Sequence, residues 1–346
     1  MPHALARRRL LQGEASEASV LLRTVRRWMT ARAMITAQAT APFLPNRTID
    51  LMELLAARMG PRLPVLARHV ARNMRSAGLY SRPVFQAHFD QLALHLSNAL
   101  RVFRLGREDG AVARLARGQI DVDDSIGHLR QALAAGCGTV VAPPHVCNYL
   151  LTLVRLNQEV PVWVYLRWSK DPRKQALKHA WCRAAGLPVI LEPESATDPA
   201  SRAAACVEVL RKGSALVMTP DIAQKAEKGV AVPLLGRAAF LPTGPASIAM
   251  LAGAPLVPVF GRLAGGKHVI YAHEPIAVES LPRAEGGRKA AIQGAMTAWA
   301  ARFESFLRDC PEAWFLWGDS RWTRVFRGDP EYSRVLSGKC CVGASL

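Results

Sequence analysis

A chain of 346 residues that is 50% apolar and 21% charged carries enough nonpolar side chains for a buried core, which excludes wholesale disorder. Its 45 Lys and Arg against 27 Asp and Glu leave a net charge of +18, an excess that attracts phosphates, anionic headgroups, acidic carrier proteins or nucleic acid. The cysteines at 137, 147, 182, 206, 310, 340 and 341 form no CxxC pair and follow no secretory signal, so they read as reduced thiols rather than a disulfide framework or zinc site.

The chain opens on MPHALARRRLLQGEASEASVLLRTVRRWMTARAM, which charge interrupts too often for a signal-peptide core. Leu10, Leu11, Val20, Leu21, Leu22, Val25 and Trp28 are interspersed with Arg7, Arg8, Arg9, Arg23, Arg26, Arg27 and Arg32. Residues 1–47 therefore read as a basic amphipathic segment, suited to the headgroup region of an anionic membrane or to packing on the domain. No apolar run reaches the roughly eighteen residues that span a bilayer.

Residues 48–330 read as one α/β domain, and its first part, 48–135, as mostly helical. TIDLMELLAARMG has Thr48 as N-cap and Gly60–Pro61 as a stop. VLARHVARNMRSAGL and FQAHFDQLALHLSNALRVFRL continue at helical spacing, and DSIGHLRQALAAGCG closes on Gly136. From residue 136 the rhythm changes. TVVAPPH, PVWVYLRW, PVILEP and SALVMTPD read as strands; the helices KQALKHAWCRAAG and SRAAACVEVLRKG separate the last three. A basic loop, the helix PASIAMLAG, the strands APLVPVF and HVIYAHEPI, a long helix over 286–308 and an aromatic segment complete the domain. Strands alternating with helices predict a mixed, largely parallel sheet flanked by helices. Residues 331–346, ending in GKCCVGASL, read as a frayed tail.

His145 stands just past TVVAPP, at the carboxyl end where open α/β sheets place ligands. Asp221 holds the equivalent place after VMTP; Asp also commonly caps turns there. Arg167 ends PVWVYLRW, before Trp168, where a cation suits a phosphate or carboxylate. Thr243 is placed to cap a helix whose free N–H groups favour an anion, with Arg237 nearby. Cys147 lies two residues from His145, which leaves a Cys–His nucleophile pair as a minor alternative to a small buried thiol.

Several pieces come in a recognisable order: VARNM, PHVCNYL, VYLRW, VLRKGSALVMTPDIAQ, LLGRAAFLPTGPASIAMLAGAPLVPVF and CPEAWFLWGDSRWTR. From about residue 70 to 327 the chain resembles the lipid A biosynthesis (lauroyl/myristoyl) acyltransferase branch of the lysophospholipid acyltransferase superfamily. The resemblance implies a glycerolipid acyltransferase-like fold. It also implies transfer of a fatty acyl group from an acyl carrier protein or CoA thioester to a hydroxyl of a lipid or glycolipid. On that reading His145 is the general base, Asp221 supports it, and Asn148, Arg167, Arg237, Thr243 and Gly244 hold substrate. The setting it implies is peripheral, on the cytoplasmic face of the bacterial inner membrane, against anionic lipid.

One position departs from the family pattern. The histidine block carries an acid after four intervening residues; here that place is Leu150, which can neither orient an imidazole nor stabilise its charge. Asp221 or, failing that, Glu192 or Glu194 is expected to act instead. Otherwise the acceptor is an easier nucleophile, such as an amine or a more acidic hydroxyl, or the domain binds lipid or acyl carrier without turnover. No metal or tightly bound cofactor is expected, since the histidines lack ligand spacing. Zinc-finger spacing, an RNP-type strand, a helix-turn-helix and an early GxGxxG are all missing, so neither a nucleic-acid partner nor a dinucleotide is expected.

Overall fold

A computed structural model describes residues 32, 35–146, 148–167, 169, 171–191, 199–278 and 287–334. Most of the amphipathic segment, together with Cys147, Trp168, Glu192, Glu194 and the tail cysteines Cys340 and Cys341, lies outside the described residues.

The first part is built from α1 (Asn46–Met59), α2 (Pro64–Ser76), α3 (Arg82–Leu105), α4 (Ala111–Gln119), β1 (Ile120–Val122) and α5 (Ile126–Ala134). Ser81 caps α3 by accepting the Val84 N–H, and Pro83 occupies its first turn, where a missing N–H costs nothing. At the other end, Gly106 meets the helix that carries Ala184 so closely that a Cβ would stand 2.6 Å from that of Ala184.

The second part runs β2 (Thr139–Val141), α6 (Tyr149–Asn157), β3 (Val162–Leu166), α7 (Pro172–Ala184), β4 (Val189–Leu191), α8 (Pro199–Arg211) and β5 (Ala215–Val217). The hairpin β6 (Gly229–Leu234) and β7 (Arg237–Pro242) follows, then α9 (Gly244–Ala252), β8 (Leu256–Val257), β9 (Val259–Ala264) and β10 (Lys267–Ala272). The chain closes with α10 (Gly287–Asp309), α11 (Ser320–Phe326) and β11 (Ser333–Arg334).

Five strands form an all-parallel sheet in the order β4–β3–β5–β2–β8. Every residue of β2 and β5 is buried, as a sheet covered on both faces requires. Alternate residues feed opposite cores. Val140 and Leu216 join the cluster containing Met296, Trp299 and Phe303 of α10. Val141, Ala215 and Val217 join the cluster built on Ile126, Leu129, Leu151 and Val154. Two smaller sheets flank this one, β1–β10–β9 and β11–β7–β6. The fold is thus mixed α/β with a helical N-terminal region.

Several local expectations are corrected. The helix expected over TIDLMELLAARMG starts at Asn46 with Pro45, not Thr48, at its cap; the Pro45 carbonyl accepts the Thr48 N–H at 3.0 Å. Region 48–135 contains a strand, because Ile120–Val122 pairs in parallel with β10, a partner too distant for local periodicity to reveal. The expected basic loop is largely the β6–β7 hairpin, and the run YLLTLVRLN, for which no element was expected, is a helix. Residues beyond 330 still belong to the fold: Tyr332 is buried and β11 pairs with β7.

Candidate active site

β2 and β5 are adjacent and parallel, with Val141 opposite Val217, so the loops after them leave the sheet side by side. His145 comes from one loop and Asp221 from the other. His145 Nδ1 lies 2.7 Å from Asp221 Oδ1, and the His145 backbone N–H donates to Asp221 Oδ2 at 2.7 Å. The carboxylate is fully buried, while the imidazole keeps 26% of its side-chain surface open. Both Asp221 oxygens thus serve the same residue, fixing its backbone and its ring together.

The aromatic C-terminal segment holds the carboxylate from behind. Trp314 Nε1–H donates to Asp221 Oδ2 at 3.0 Å, and Trp322 Nε1–H donates to the Asp221 backbone carbonyl at 3.0 Å. The two indoles stack edge-on, with centroids 4.8 Å apart, and Trp317 adds a second edge contact to Trp314 at 4.7 Å. Trp299 Nε1–H donates to the Ala142 carbonyl at 2.8 Å, and the Phe315 N–H to the His145 carbonyl at 2.9 Å. Trp299, Trp314 and Trp322 thereby each satisfy their one donor, which burial otherwise makes costly.

His145 opens onto a cavity of about 1690 Å³. Its walls are mainly apolar, drawn from Leu96, Leu100 and Phe103 of α3, Leu150 and Leu153 of α6, and Ile248 of α9. Arg167, Lys178, Arg211, Lys228 and Arg288 also line it, a cationic set suited to an anion. Tyr149 packs beside the histidine, ring centroids 5.3 Å apart. Burial, reinforced by the Asp221 charge, pushes its phenol pKa far up, so the hydroxyl stays protonated. Burial alone would raise the Asp319 pKa. The Arg321 hydrogen bonds and charge, together with the charge of His145, outweigh that and hold the carboxyl below its ordinary range.

The sequence candidates divide clearly. His145 and Asp221 meet, and Arg167, Thr243 and Gly244 line the cavity with His145. Thr243 stands at the α9 cap without the expected side-chain cap bond. Asn148 does not reach the cavity wall. It sits buried at φ 60°, its Oδ1 accepting from Asn98 Nδ2 at 2.9 Å, and so ties the histidine loop to α3. Arg237 is also elsewhere: it begins β7, with its guanidinium beside Gly328. Leu150 is an apolar part of the cavity wall. Sequence reasoning missed Lys178, Arg211, Lys228 and Arg288, which are spread over the chain, and gave no role to Trp314 within the Pro-Glu-x-Trp block. Among the described residues no group of three or more His, Cys, Asp or Glu is placed to hold a metal. Nor is any helix there long and apolar enough to cross a membrane.

The site is thus an imidazole gripped by a buried carboxylate at the carboxyl edge of a parallel sheet in an α/β protein, open to a large, mainly apolar cavity. A family model described as bacterial lipid A biosynthesis acyltransferase matches residues 82–324. The chain belongs to this family and is an acyltransferase of the lipid A type. A search of curated proteins returns no match to it.

Proposed function

We propose that the protein transfers a fatty acyl group from an acyl carrier protein or CoA thioester to a hydroxyl of a lipid or glycolipid acceptor, with His145 as general base. One observation carries this reading: the 2.7 Å contact between His145 Nδ1 and Asp221 Oδ1 beside the apolar cavity. Asp221 accepts the hydrogen bond of the His145 Nδ1–H, leaving the Nε2 lone pair for the acceptor hydroxyl. That hydroxyl attacks the thioester carbonyl as His145 takes its proton. The tetrahedral intermediate then collapses, the C–S bond breaks, and the imidazolium returns the proton to the departing thiolate. Asp221 stabilises the imidazolium throughout, so the family's acid at the Leu150 position is not required. Leu150 instead enlarges the apolar wall.

The acyl chain belongs in the cavity, where each buried CH₂ contributes about 0.8 kcal/mol. Arg167, Arg211, Lys228 and Arg288 are suited to an anionic headgroup or to the phosphate of the donor. Membrane contact is supported by a different surface. Eight of the twelve exposed large apolar side chains among the described residues fall between residues 43 and 65: Phe43, Leu51, Met52, Leu54, Leu55, Met59, Leu63 and Val65. Arg47, Arg58, Arg62 and Arg68 are interspersed with them, all exposed. The two acids of α1, Asp50 and Glu53, are engaged by Arg101 of α3. An apolar face set among cations fits an anionic bilayer surface. It supports membrane contact through α1 and the start of α2, beside the amphipathic segment before them.

The test is thiol release from acyl-CoA or acyl carrier protein in the presence of a glycolipid acceptor. Wild type releases thiol, and His145→Ala lowers the rate by about 10³-fold or more. An unchanged rate in the variant removes His145 from the chemistry; binding of acyl donor without turnover by wild type removes the enzymatic reading.

A further inference from the structure

The cavity that receives His145 also receives a second imidazole, His95 of α3. Its ring packs against Phe315, centroids 5.0 Å apart, and the Phe315 N–H is bonded to the His145 carbonyl. Two further bonds fix this part of α3 at the level of the site. Asn98 Nδ2 donates to Asn148 Oδ1 at 2.9 Å, within the loop that carries His145. His88 Nδ1 donates to the Glu312 carbonyl at 2.9 Å, shortly before Trp314 and Phe315. His95 is therefore held from both sides, by the loop of the base and by the segment that supports Asp221.

The two ring nitrogens of His95 differ. Nδ1 is buried and has no hydrogen-bond partner among the described residues. An N–H placed there would lose its hydration with no acceptor, so the proton belongs on Nε2, the nitrogen left to face the cavity. Burial, with smaller contributions from the charges of His145 and His268, pushes the His95 pKa down to about 4. The ring stays neutral at ordinary pH. It is a fixed N–H donor with Leu96, Leu100 and Phe103 as neighbours on the cavity wall.

We infer that His95 is a second catalytic residue, whose neutral Nε2–H donates a hydrogen bond to the thioester carbonyl oxygen as it becomes an oxyanion. The inference rests on the acyl-transfer reading above. During attack the acceptor oxygen forms its bond to the carbonyl carbon, the C=O electron pair moves to oxygen, and His145 takes the hydroxyl proton. The oxyanion then forms in an apolar cavity, where a preorganised donor is worth most. On collapse the pair returns, the C–S bond breaks, and the thiolate leaves with the proton from His145. His95 gives up no proton at any stage. Its low proton affinity keeps it from competing with His145 for the hydroxyl proton.

Steady-state thiol release is compared for wild type, His145→Ala, His95→Ala and His95→Gln, with folding checked by circular dichroism. The expected result for His95→Ala is a fall in kcat of about 10²-fold, with KM changed by less than about threefold. His95→Gln, which restores an N–H donor, recovers about tenfold of that loss. Three outcomes overturn the inference: kcat of His95→Ala within about threefold of wild type, a loss confined to KM, as recognition of a polar group along the acyl chain would give, or a glutamine variant no better than alanine. Turnover by wild type that is lost in His145→Ala upholds the acyl-transfer reading whichever way His95 falls. No turnover by wild type overturns both.

Discussion

The floor of the site and the outer face of α1 are opposite uses of the same kinds of residue. At the floor, apolar bulk is packed inward. Trp314, Trp317 and Trp322 are buried; Trp314 donates to the fully buried Asp221 carboxylate and Trp322 to the Asp221 backbone carbonyl. On α1, Leu51, Leu55 and Met59 are exposed at a four-residue spacing, with Arg47 and Arg58 exposed on the same helix. A packed floor sets one geometry and holds it, which a proton transfer requires. An exposed apolar and cationic face sets no geometry, and gains only when a second surface covers it. Changes at the floor should therefore alter rate, whereas changes on α1 should alter where the protein resides.

The largest expected effect that sharpens this contrast is at Leu150. Leu150→Glu restores an acid at the family position but buries a carboxylate in an apolar wall beside an imidazole already engaged by Asp221. It should lower acyl transfer by at least about tenfold, since an unpaired buried charge is costly. A rate above wild type would show that the family position still governs His145. Next comes the α1 face. Leu51→Asp with Leu55→Asp should reduce partition onto anionic vesicles by about tenfold or more, while the melting temperature moves little, because both positions are exposed. Raising salt should weaken vesicle binding of the wild type as its arginines are screened. Unchanged partition would remove this face from membrane contact.

A third prediction concerns pH. Burial lowers the pKa of His88, His95 and His268 to about 4 each. The unfolded chain binds protons at these sites near pH 6.5, where the folded protein does not. Their penalty is absent above pH 6.5, grows as pH falls toward 4, and reaches on the order of 3 kcal/mol per histidine there. Denaturant midpoints should drop across that window, and His88→Phe should flatten the drop if its packing is kept. The smallest effect separates two arginines. Arg167→Ala should raise KM for an anionic substrate by a few-fold, about 1 kcal/mol, whereas Arg237→Ala should leave KM unchanged because Arg237 lies away from the cavity.

Much of the site was legible because it sits at strand ends. TVVAPPH and SALVMTPD end in His145 and Asp221, and adjacency of β2 and β5 in a parallel sheet brings such ends together. What was illegible has physical causes. YLLTLVRLN is apolar nearly all round, so no helical stripe marks α6. The β6–β7 hairpin turns on Leu235 and Gly236 at φ 49° and 75°, without the Asn-Gly or Asp-Gly signal. Leucine tolerates that backbone here with its N–H bonded to Glu304 Oε2 at 2.8 Å. The strand expected at APLVPVF is divided by Pro258, which cannot donate to a ladder. Arg211 and Arg288 are neighbours of the site only through tertiary packing, and nothing in their local sequence distinguishes them from other surface arginines.

Asp221 does for His145 what no acid near it in sequence can do. Asp221→Asn keeps the shape of that side chain and removes its charge. With the tryptophan network left in place and thermal stability close to wild type, kcat for thiol release should fall by about 10⁴-fold, as when the carboxylate behind a catalytic imidazole is lost. A folded Asp221→Asn protein that turns over at the wild-type rate would contradict the account.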